Sequence, residues 1–353
     1  MSLVLNVRNF LSLRDVSITF DYLNVLVGPN ASGKSNIIRA LEFVSKFIKS
    51  GKVAIDTLFG DRNFSDVTFR GEGGQIAFEL KFRDVNYVLK MEPGSLLEEV
   101  YHGSNLIFKR ASSINKEQIS YLDPSGSWKS IVNSNASRSI AGQISIPTYQ
   151  FSKQNNCHNL ESAISILASI GVYSFDPEFI KTRSHAATKL ELGKKGNNLA
   201  RLLFHYYLAD KFLFRNIVET FTMLAPDVEE IVPISRGDII SLFLKEKNSD
   251  KLIDFEFASG GYLKMLAILT SLMGENIIVA YDDIESFIDR CIYDTIMYII
   301  KKFGRIVIMT THSPHLLDYV EPKNIILVSK INGETKVRRL TDSIDVEAIK
   351  ACR

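Results

Sequence analysis

The stretch Gly28–Ser35, which reads GPNASGKS, constrains the fold of this chain more than any other feature. It fits the pattern G-x-x-x-x-G-K-[ST] at every fixed position. The preceding residues Val25–Val27 favour a buried strand, and apolar residues recur at helical spacing from Ile37 to Phe47. The sequence therefore predicts a strand, a glycine-rich turn and a helix in direct succession, which is typical of an α/β sheet.

The chemistry of this turn favours a bound nucleotide. Glycines let successive backbone N–H groups point into one anion-binding nest, and the N-terminus of the helix adds positive potential. Lys34 is expected to reach the β- and γ-phosphates, and the Ser35 hydroxyl to ligate Mg²⁺. The alternative is a structural turn that fits by chance, which the flanking strand and helix disfavour. The predicted binding residues are Gly28, Pro29, Asn30, Ala31, Ser32, Gly33, Lys34, Ser35 and Asn36.

Composition limits the protein class. The 353 residues are 46% hydrophobic and 23% charged, with a net charge of +2, so partners of either charge must be met by local patches. Three distant cysteines have neither metal-site nor disulfide spacing, which is typical of reduced thiols. The first residues lack signal-peptide character, and no apolar run approaches the ~20 residues of a membrane span. We therefore expect a cytoplasmic protein without membrane contact.

The pattern of apolar and polar residues changes along the rest of the chain. Residues 64–110 alternate in short apolar and polar steps, as in QIAFELKF, and predict an antiparallel β lobe. Residues 111–158 are rich in Ser, Asn, Gly and Lys and predict a long loop or insertion. Residues 159–224 have a helical pattern, and ISLFLK near residue 242 returns to strand.

Polar residues follow two further predicted strands, NIIVAY and RIVIMT. Asp282 and Asp283 end the first, with Glu285 as the next acid, and His312 follows the second. Because ligands bind at the carboxyl ends of strands in open α/β sheets, one acid could hold Mg²⁺ and another could orient water. The alternative for the acids is a solvated helix cap. The alternative for His312 is a plain helix start at Ser313-Pro314.

A third segment, Ser259-Gly260-Gly261, leads into the apolar run YLKMLAILTSLM. It predicts a second helix N-terminus with free N–H groups. An N-cap serine followed by flexible glycines is the structural alternative.

Together these motifs resemble the ABC-type ATPase heads of the RecF and SMC class, especially stand-alone predicted AAA-family ATPases related to the overcoming-lysogenization-defect (OLD) proteins. FLSLRDVSITFDYLNVLVGPNASGKSN is similar to the family's first strands and Walker A motif. FDPEFIKTR and KKGNNLARLL resemble its middle helical segment. ASGGYLKMLAIL is similar to the signature motif, IIVAYDDIES to Walker B, and TTHSP to the switch-histidine segment.

The resemblance implies an α/β P-loop NTPase with an ABC-ATPase-like two-lobed head, in which a mixed sheet is joined by an antiparallel β lobe and a helical lobe. A single head is expected over residues 1–353. Walker A and the β lobe would occupy 1–110, and a loop-rich and helical insertion lobe 111–250. The signature, Walker B and the switch histidine would occupy 251–353.

The resemblance also implies an ATP-driven clamp between two copies of the chain. ATP and Mg²⁺ would be held by the Walker A loop of one protomer, with Ser35 and Asp282 as metal ligands. The helix start formed by Ser259, Gly260 and Gly261 of a second protomer would close on the γ-phosphate. The implied catalytic residues are Lys34, Asp283 and His312.

The chain departs from the family pattern at several points. The second Walker B acid is Asp283 where this class usually has Glu, and Ile284 replaces the usual proline. About forty residues follow His312, too few for the Toprim nuclease domain of OLD proteins, so nuclease activity is not expected. Gln75 and Gln150 are weak candidates for the Q-loop glutamine.

The favoured function is an ATPase of DNA maintenance or defence against foreign DNA, with a partner nuclease or toxin. The alternative is a nucleotide-gated scaffold with negligible turnover, which Asp283 supports. A transporter ATPase is disfavoured by Ser35-Asn36 and by the long middle region. Basic residues that could contact DNA, or form an ordinary solvated face, are Lys181, Arg183, Lys189, Lys194 and Lys195.

Overall fold

The computed structural model describes residues 1–51, 55, 60, 63–113, 116–123, 125–133, 148–155 and 157–341. The strands are β1 (Leu3–Phe10), β2 (Leu13–Phe20), β3 (Leu23–Val27), β4 (Ile76–Phe82), β5 (Val85–Glu92), β6 (Ser95–His102), β7 (Asn105–Ser113), β8 (Lys116–Leu122), β9 (Trp128–Asn133), β10 (Ile170–Tyr173), β11 (Ser184–His185), β12 (Val228–Arg236), β13 (Ile239–Glu246), β14 (Leu252–Asp254), β15 (Ile278–Tyr281), β16 (Ile306–Thr311), β17 (Ile325–Ile331) and β18 (Glu334–Arg339). The α-helices with described bounds are α1 (Lys34–Ser50), α2 (Thr148–Gln154), α3 (His158–Ala168), α4 (Pro177–Ile180), α5 (Leu199–Ala209), α6 (Lys211–Leu224), α7 (Gly260–Met273) and α8 (Tyr293–Lys302).

The chain divides into two compact units. Unit 1 comprises residues 1–170 and 326–340, and unit 2 comprises residues 171–325 and 341–353. The Walker A loop lies in unit 1, whereas the signature, the acids and the switch histidine lie in unit 2. The division at residues 110 and 250, which was predicted from the sequence, describes where the motifs lie along the chain. It stays a prediction.

An eight-stranded antiparallel sheet forms most of unit 1, in the order β2-β1-β4-β5-β6-β7-β8-β9. Strands β4, β5 and β6 bury alternate residues and expose or half-expose the others. This is the period-two pattern of a sheet with one face on a core. The predicted antiparallel β lobe is confirmed.

The predicted loop over 111–158 is wrong where the structure describes the chain. Residues 116–122 and 128–133 form β8 and β9, which extend the sheet to its edge. Every residue of β9 from Trp128 to Val132 is exposed, so this edge strand needs no alternation of apolar and polar residues. The usual strand signal is therefore missing from its sequence. Residues 134–147, also in the predicted loop, lie outside the described residues.

An aromatic cluster fixes helix α1 against the sheet of unit 1. Phe43 of α1 lies 5.4 Å from Phe78 of β4 and 6.5 Å from Phe10 of β1, measured between ring centroids. Phe10 and Phe78 also meet edge to face at 5.1 Å. Such pairs add about 0.5–1.5 kcal/mol each to the burial of their apolar area. Because α1 begins at Lys34, this cluster positions the Walker A loop.

Unit 1 also contains the adjacent strands β3, β17 and β18. All five residues of β3 are buried, as expected for a strand covered on both faces. β17 and β18 form an antiparallel hairpin in which Ile331 pairs with Glu334. The turn of this hairpin contains Asn332 and Gly333, both with positive φ, which suits a tight connection.

In unit 2, strands β10, β15 and β16 are adjacent in that order. β15 and β16 are parallel and fully buried, with Tyr281 opposite Met309, so their carboxyl ends meet at one edge. Helix α7 is buried along most of its length. A separate sheet contains β11, β13 and β12, with β14 paired to β13. The predicted strands at 242, 278–281 and 306–311 are confirmed.

The helical prediction over 159–224 is correct for α3, α5 and α6. It is wrong for most of residues 170–198, which form the short strands β10 and β11, the one-turn helix α4 and connecting turns. Among the described residues, no helix has the length and apolar character that crossing a bilayer requires. Cys157 and Cys291 are free thiols, as expected, and Cys352 lies outside the described residues.

A buried charge cluster lies inside the β lobe. The Arg110 guanidinium on β7 donates to Glu98 of β6 at 2.9 Å and lies 3.4 Å from the Glu117 carboxylate of β8, and all three side chains are buried. The Tyr87 hydroxyl donates to Glu98 at 2.8 Å, and the Thr148 hydroxyl of α2 donates to the same carboxylate. Burial and the Glu98 charge raise the pKa of Tyr87, which keeps the hydroxyl protonated as a donor. The cluster therefore joins four strands, β5 to β8, and a helix.

Replacing Arg110 by methionine should destabilise the protein by about 3–5 kcal/mol, because two buried carboxylates lose their counter-charge. Urea unfolding of Arg110→Met measures this loss. Lys109→Ala is the matched control, since the exposed Lys109 pairs with the half-buried Glu99 at 3.0 Å and its removal should cost less than about 1 kcal/mol. Equal stability of the two variants would contradict this account of the lobe.

Candidate functional site

The Walker A loop links β3 to α1 in unit 1, as predicted. Its lysine is folded back onto the loop: Lys34 Nζ donates to the carbonyl oxygens of Gly28 at 2.7 Å and Pro29 at 2.9 Å. Only 4% of the Lys34 residue is exposed. Ser35 is exposed in the first turn of α1. Loop, lysine and serine are therefore arranged around one helix N-terminus, where backbone N–H groups favour an anion.

Two glycines of the motif are required by close contacts. A Cβ atom at position 28 would lie 1.9 Å from the carbonyl oxygen of Val328 on β17. A Cβ atom at position 33 would lie 2.0 Å from Thr335 Oγ1 on β18, and Gly33 also has a φ of +110°. Such distances exclude any side chain without movement of the hairpin. The motif glycines thus allow the loop to lie directly against β17 and β18.

A hydroxyl network holds the back of the loop. Thr335 Oγ1 donates to the Ser32 carbonyl at 2.9 Å and lies 2.7 Å from Ser12 Oγ. Ser12 Oγ accepts from the Asn36 side-chain amide at 2.8 Å, and the Ser12 carbonyl accepts from the Thr335 backbone N–H at 2.8 Å. Thr335 is almost fully buried. Residues from both ends of the chain therefore fix the loop, and we call this set the loop brace: Ser12, Ser32, Asn36 and Thr335.

The acids of unit 2 lie where the sequence predicted them, at the carboxyl end of β15. The Asp282 backbone N–H donates to the Tyr173 carbonyl of β10 at 2.8 Å. The Thr310 hydroxyl of β16 donates to Asp282 Oδ1 at 2.8 Å and accepts from the Asp283 backbone N–H at 2.8 Å. Asp283 is exposed and has a φ of +60°, which is uncommon for a residue with a side chain. One hydroxyl thus orients both acids.

Glu285 is used to hold the switch-histidine segment. One of its carboxylate oxygens accepts the backbone N–H of His312 and, at 3.0 Å, that of Ser313. A carboxylate bound to two N–H groups is tied into the structure, which disfavours Glu285 as an alternative general base to Asp283. The His312 residue is exposed beside it. The structure therefore brings Asp282, Asp283 and His312 together at one edge of unit 2.

The signature segment forms the start of helix α7, as predicted. Ser259 is the N-cap residue, and its side chain makes no capping hydrogen bond. A Cβ atom at position 261 would lie 2.8 Å from the Phe287 carbonyl oxygen, so this glycine allows α7 to begin against the turn that follows the acids. Hence the signature and Walker B segments are in direct contact within unit 2.

Each unit contains an oxygen donor of the kind that Mg²⁺ binds together with phosphate and water. Among the described residues, no group of three or more His, Cys, Asp or Glu side chains is arranged for a metal. Mg²⁺ usually binds through one or two carboxylates together with substrate phosphates. Asp282, oriented by Thr310, supplies a carboxylate of this kind in unit 2, and Ser35 supplies a hydroxyl in unit 1.

Several positioning residues were not predicted from the sequence. Thr335 and Ser12 carry no local signal, because their role arises only when the hairpin meets the loop. Lys264, one turn into α7, is another. The Q-loop residue stays open: Gln75 donates to Glu92 at 2.7 Å on the sheet, and Gln150 is exposed on α2.

Comparison with protein families identifies one that covers most of the chain. Residues 23–318 match the family described as "AAA domain, putative AbiEii toxin, Type IV TA system". This range includes the Walker A loop, the signature, both acids and His312. The comparison with curated proteins gave no match.

Solved structures of SMC heads have a similar fold. An SMC head bound to the C-winged helix domain of ScpA has a TM-score of 0.57 at 16% identity and covers 98% of each chain. The Smc head from Pyrococcus furiosus, with an extended coiled coil and the C-terminal domain of ScpA, has a TM-score of 0.52 at 17% identity, covering 100% of this chain and 99% of that chain. The Smc head from Pyrococcus yayanosii has a TM-score of 0.50 at 14% identity, covering both chains fully.

These findings confirm the predicted α/β P-loop fold of the ABC and SMC head type. At this level of identity, similarity to these structures is evidence for the fold alone. The family match covers far more than half of the sequence and all of its motifs. The chain is a member of the AAA-domain family described as putative AbiEii toxin of Type IV toxin–antitoxin systems, and it has the P-loop ATPase fold of an SMC head.

Proposed function

We propose that this protein is an ATP-binding and ATP-hydrolysing switch that dimerises around ATP and controls a partner effector. The observation that carries the proposal is the braced Walker A loop, in a chain whose family and fold are those of ATPase heads. A loop that is already held in its curled form loses little conformational entropy when phosphate binds.

ATP binding would begin at this loop. The carbonyl oxygens that now accept from Lys34 Nζ cannot compete with a polyphosphate for the charge of the ammonium group. The lysine would therefore turn to the β- and γ-phosphates. Ser35 and Asp282 would hold Mg²⁺, which neutralises phosphate charge during transfer to water.

Hydrolysis would depend on the edge of unit 2. Asp283 is exposed and held by its backbone, so its carboxylate is available to orient or deprotonate water. His312, exposed next to it, would contact the terminal phosphate. Glu285 and Thr310 would act by fixing these groups in place.

Dimerisation would supply the missing half of each site. The start of α7 offers backbone N–H groups and a serine without a capping bond, which suits an anion from a second copy. Two phenylalanines flank it in solvent: Phe257 is 79% exposed and Phe287 is 63% exposed. Exposed aromatic residues next to a polar site are typical of surfaces that a partner covers.

The identity of the partner effector is part of the same proposal. The family description names a putative toxin and a Type IV toxin–antitoxin system. On that description we extend the proposal to a toxin or nuclease partner and a role in defence against foreign DNA. Two SMC heads of similar fold are bound to ScpA, so heads of this shape take protein partners. Direct DNA contact by the basic segment has less support, because Lys181 pairs with Glu178 at 2.9 Å and Arg183 faces Asp254 at 3.6 Å.

A nucleotide-gated scaffold with negligible turnover is the second candidate. Its support is Asp283, whose side chain is one methylene shorter than the usual glutamate. Because Thr310 fixes the Asp283 backbone, the carboxylate cannot move outward to compensate for the shorter side chain. In this case ATP would still close the dimer, and partner release would depend on nucleotide exchange.

The loop brace can be tested with Thr335→Val, which keeps the shape of the side chain and removes its hydroxyl. ATP affinity should fall roughly tenfold, equivalent to about 1.4 kcal/mol, because the loop loses both hydrogen bonds of the Thr335 hydroxyl, to the Ser32 carbonyl and to Ser12 Oγ. Thr335→Ser is the matched control, and Lys34→Ala should abolish binding. Titration with a fluorescent ATP analogue measures all three. Wild-type affinity in Thr335→Val would show that the brace does not position the loop.

The switch can be tested with Asp283→Asn, which removes the carboxylate that would act on water and leaves the backbone contacts. ATP should convert this variant from a 39.8 kDa monomer to a stable dimer, while turnover falls by about a hundredfold or more. Sedimentation velocity and a phosphate-release assay measure the two effects.

A monomer in saturating ATP would contradict the dimer. If the wild type dimerises with ATP but hydrolyses ATP no faster than Asp283→Asn, the result would favour the nucleotide-gated scaffold.

A further inference from the structure

Lys264 is a buried charge for which the ATP-binding role provides no use. It lies on α7, five residues after Ser259, and only 2% of the residue is exposed. A lysine in such a position loses its hydration, which is strongly unfavourable unless polar groups replace the water. Its retention in an apolar helix therefore indicates a specific contact.

The contacts of Lys264 all lie in the turn that follows β15. Nζ donates to the Asp283 backbone carbonyl at 2.7 Å and also to the Ser286 hydroxyl. Ser286 Oγ in turn donates to the Asp283 carbonyl at 3.1 Å. The ammonium group and the hydroxyl therefore converge on one peptide unit, the one directly after the proposed water-activating residue.

Neighbouring elements must hold this turn in its conformation. Asp283 and Phe287 both have positive φ, at +60° and +64°. For residues with side chains this conformation is unfavourable, so surrounding contacts must maintain it. On the β16 side, Thr310 holds the turn. Its hydroxyl accepts a hydrogen bond from the Asp283 backbone N–H, and its carbonyl accepts one from the Ile284 backbone N–H at 3.3 Å. From the α7 side, Lys264 is the charged contact that holds it.

We propose that Lys264 is the positioning residue through which the signature helix sets the orientation of Asp283. The proposal rests on the proposed function for its consequence in catalysis. An anion bound at the start of α7 would attract the Lys264 ammonium group, which lies one turn later on the same helix. This attraction would act on the Asp283 peptide through the hydrogen bond from Lys264. Occupation of the signature would thereby be linked to the alignment of the acid.

The charges around Lys264 agree with this role. Burial lowers the pKa of Lys264 to about 8, although the carboxylates of Asp283, Glu285 and Asp176 favour its charged form. Because the folded value lies above neutrality, the amine is protonated at pH 7. It loses its charge as the pH rises through about 8, and its hydrogen bonds to the turn then weaken.

The test uses Lys264→Met in the full chain, with Lys301→Met, an exposed lysine of α8, as the control. We expect an unchanged KM and unchanged ATP affinity, because Walker A is intact, and a kcat lowered about tenfold or more. Wild-type kcat should decline above pH 8, and the methionine variant should lack that decline.

Wild-type turnover is measured first, so that failure of the proposed function is seen separately. An active wild type with an equally active Lys264→Met would overturn the positioning role, as would a loss of ATP affinity in that variant. Hydrogen exchange of the nucleotide-free protein gives an answer that does not depend on turnover. Peptides covering 282–288 should exchange about tenfold faster in Lys264→Met, with peptides of α1 unchanged. Unchanged exchange at 282–288 would overturn the proposal.

Discussion

The contact between the Walker A loop and the β17–β18 hairpin is the constraint on which the nucleotide site depends. Gly28 and Gly33 lie so close to Val328 and Thr335 that no side chain fits at either glycine. The loop cannot relax backwards, so its N–H groups are held in the curl that receives phosphate. Because Thr335 lies some 300 residues from the loop, completing this site requires that the C-terminal hairpin be folded.

Unit 2 uses the same principle with different chemistry. A turn with unfavourable backbone angles carries Asp283, and it is held by the Thr310 hydroxyl from the strand side and the Lys264 ammonium group from the helix side. Strain at a functional turn persists only where neighbouring groups maintain it. Both halves of the proposed site therefore consist of a functional group and a polar group from a neighbouring element that positions it.

The sequence predicts the functional groups and misses the groups that position them, for a physical reason. Walker A, the acids and His312 follow strands with strong apolar patterns, so their place at strand ends can be derived from local order. The partners Ser12, Thr335 and Lys264 act across packed elements, and no local pattern marks them. The same holds for Glu98 and Arg110, charged residues at inward positions of strands, and for β9, whose exposed edge has no alternation.

The central claim is that one ATP site is completed by two chains, and mixing two inactive variants tests it most directly. Lys34→Ala lacks the phosphate contact, and Ser259→Arg blocks the signature. When the two are mixed and exchange subunits, about half of the dimers contain both variants, and each of these has one intact site. The account predicts that up to about a quarter of wild-type ATPase activity returns if the sites act independently. A mixture that stays as inactive as its components, with subunit exchange demonstrated, would contradict it.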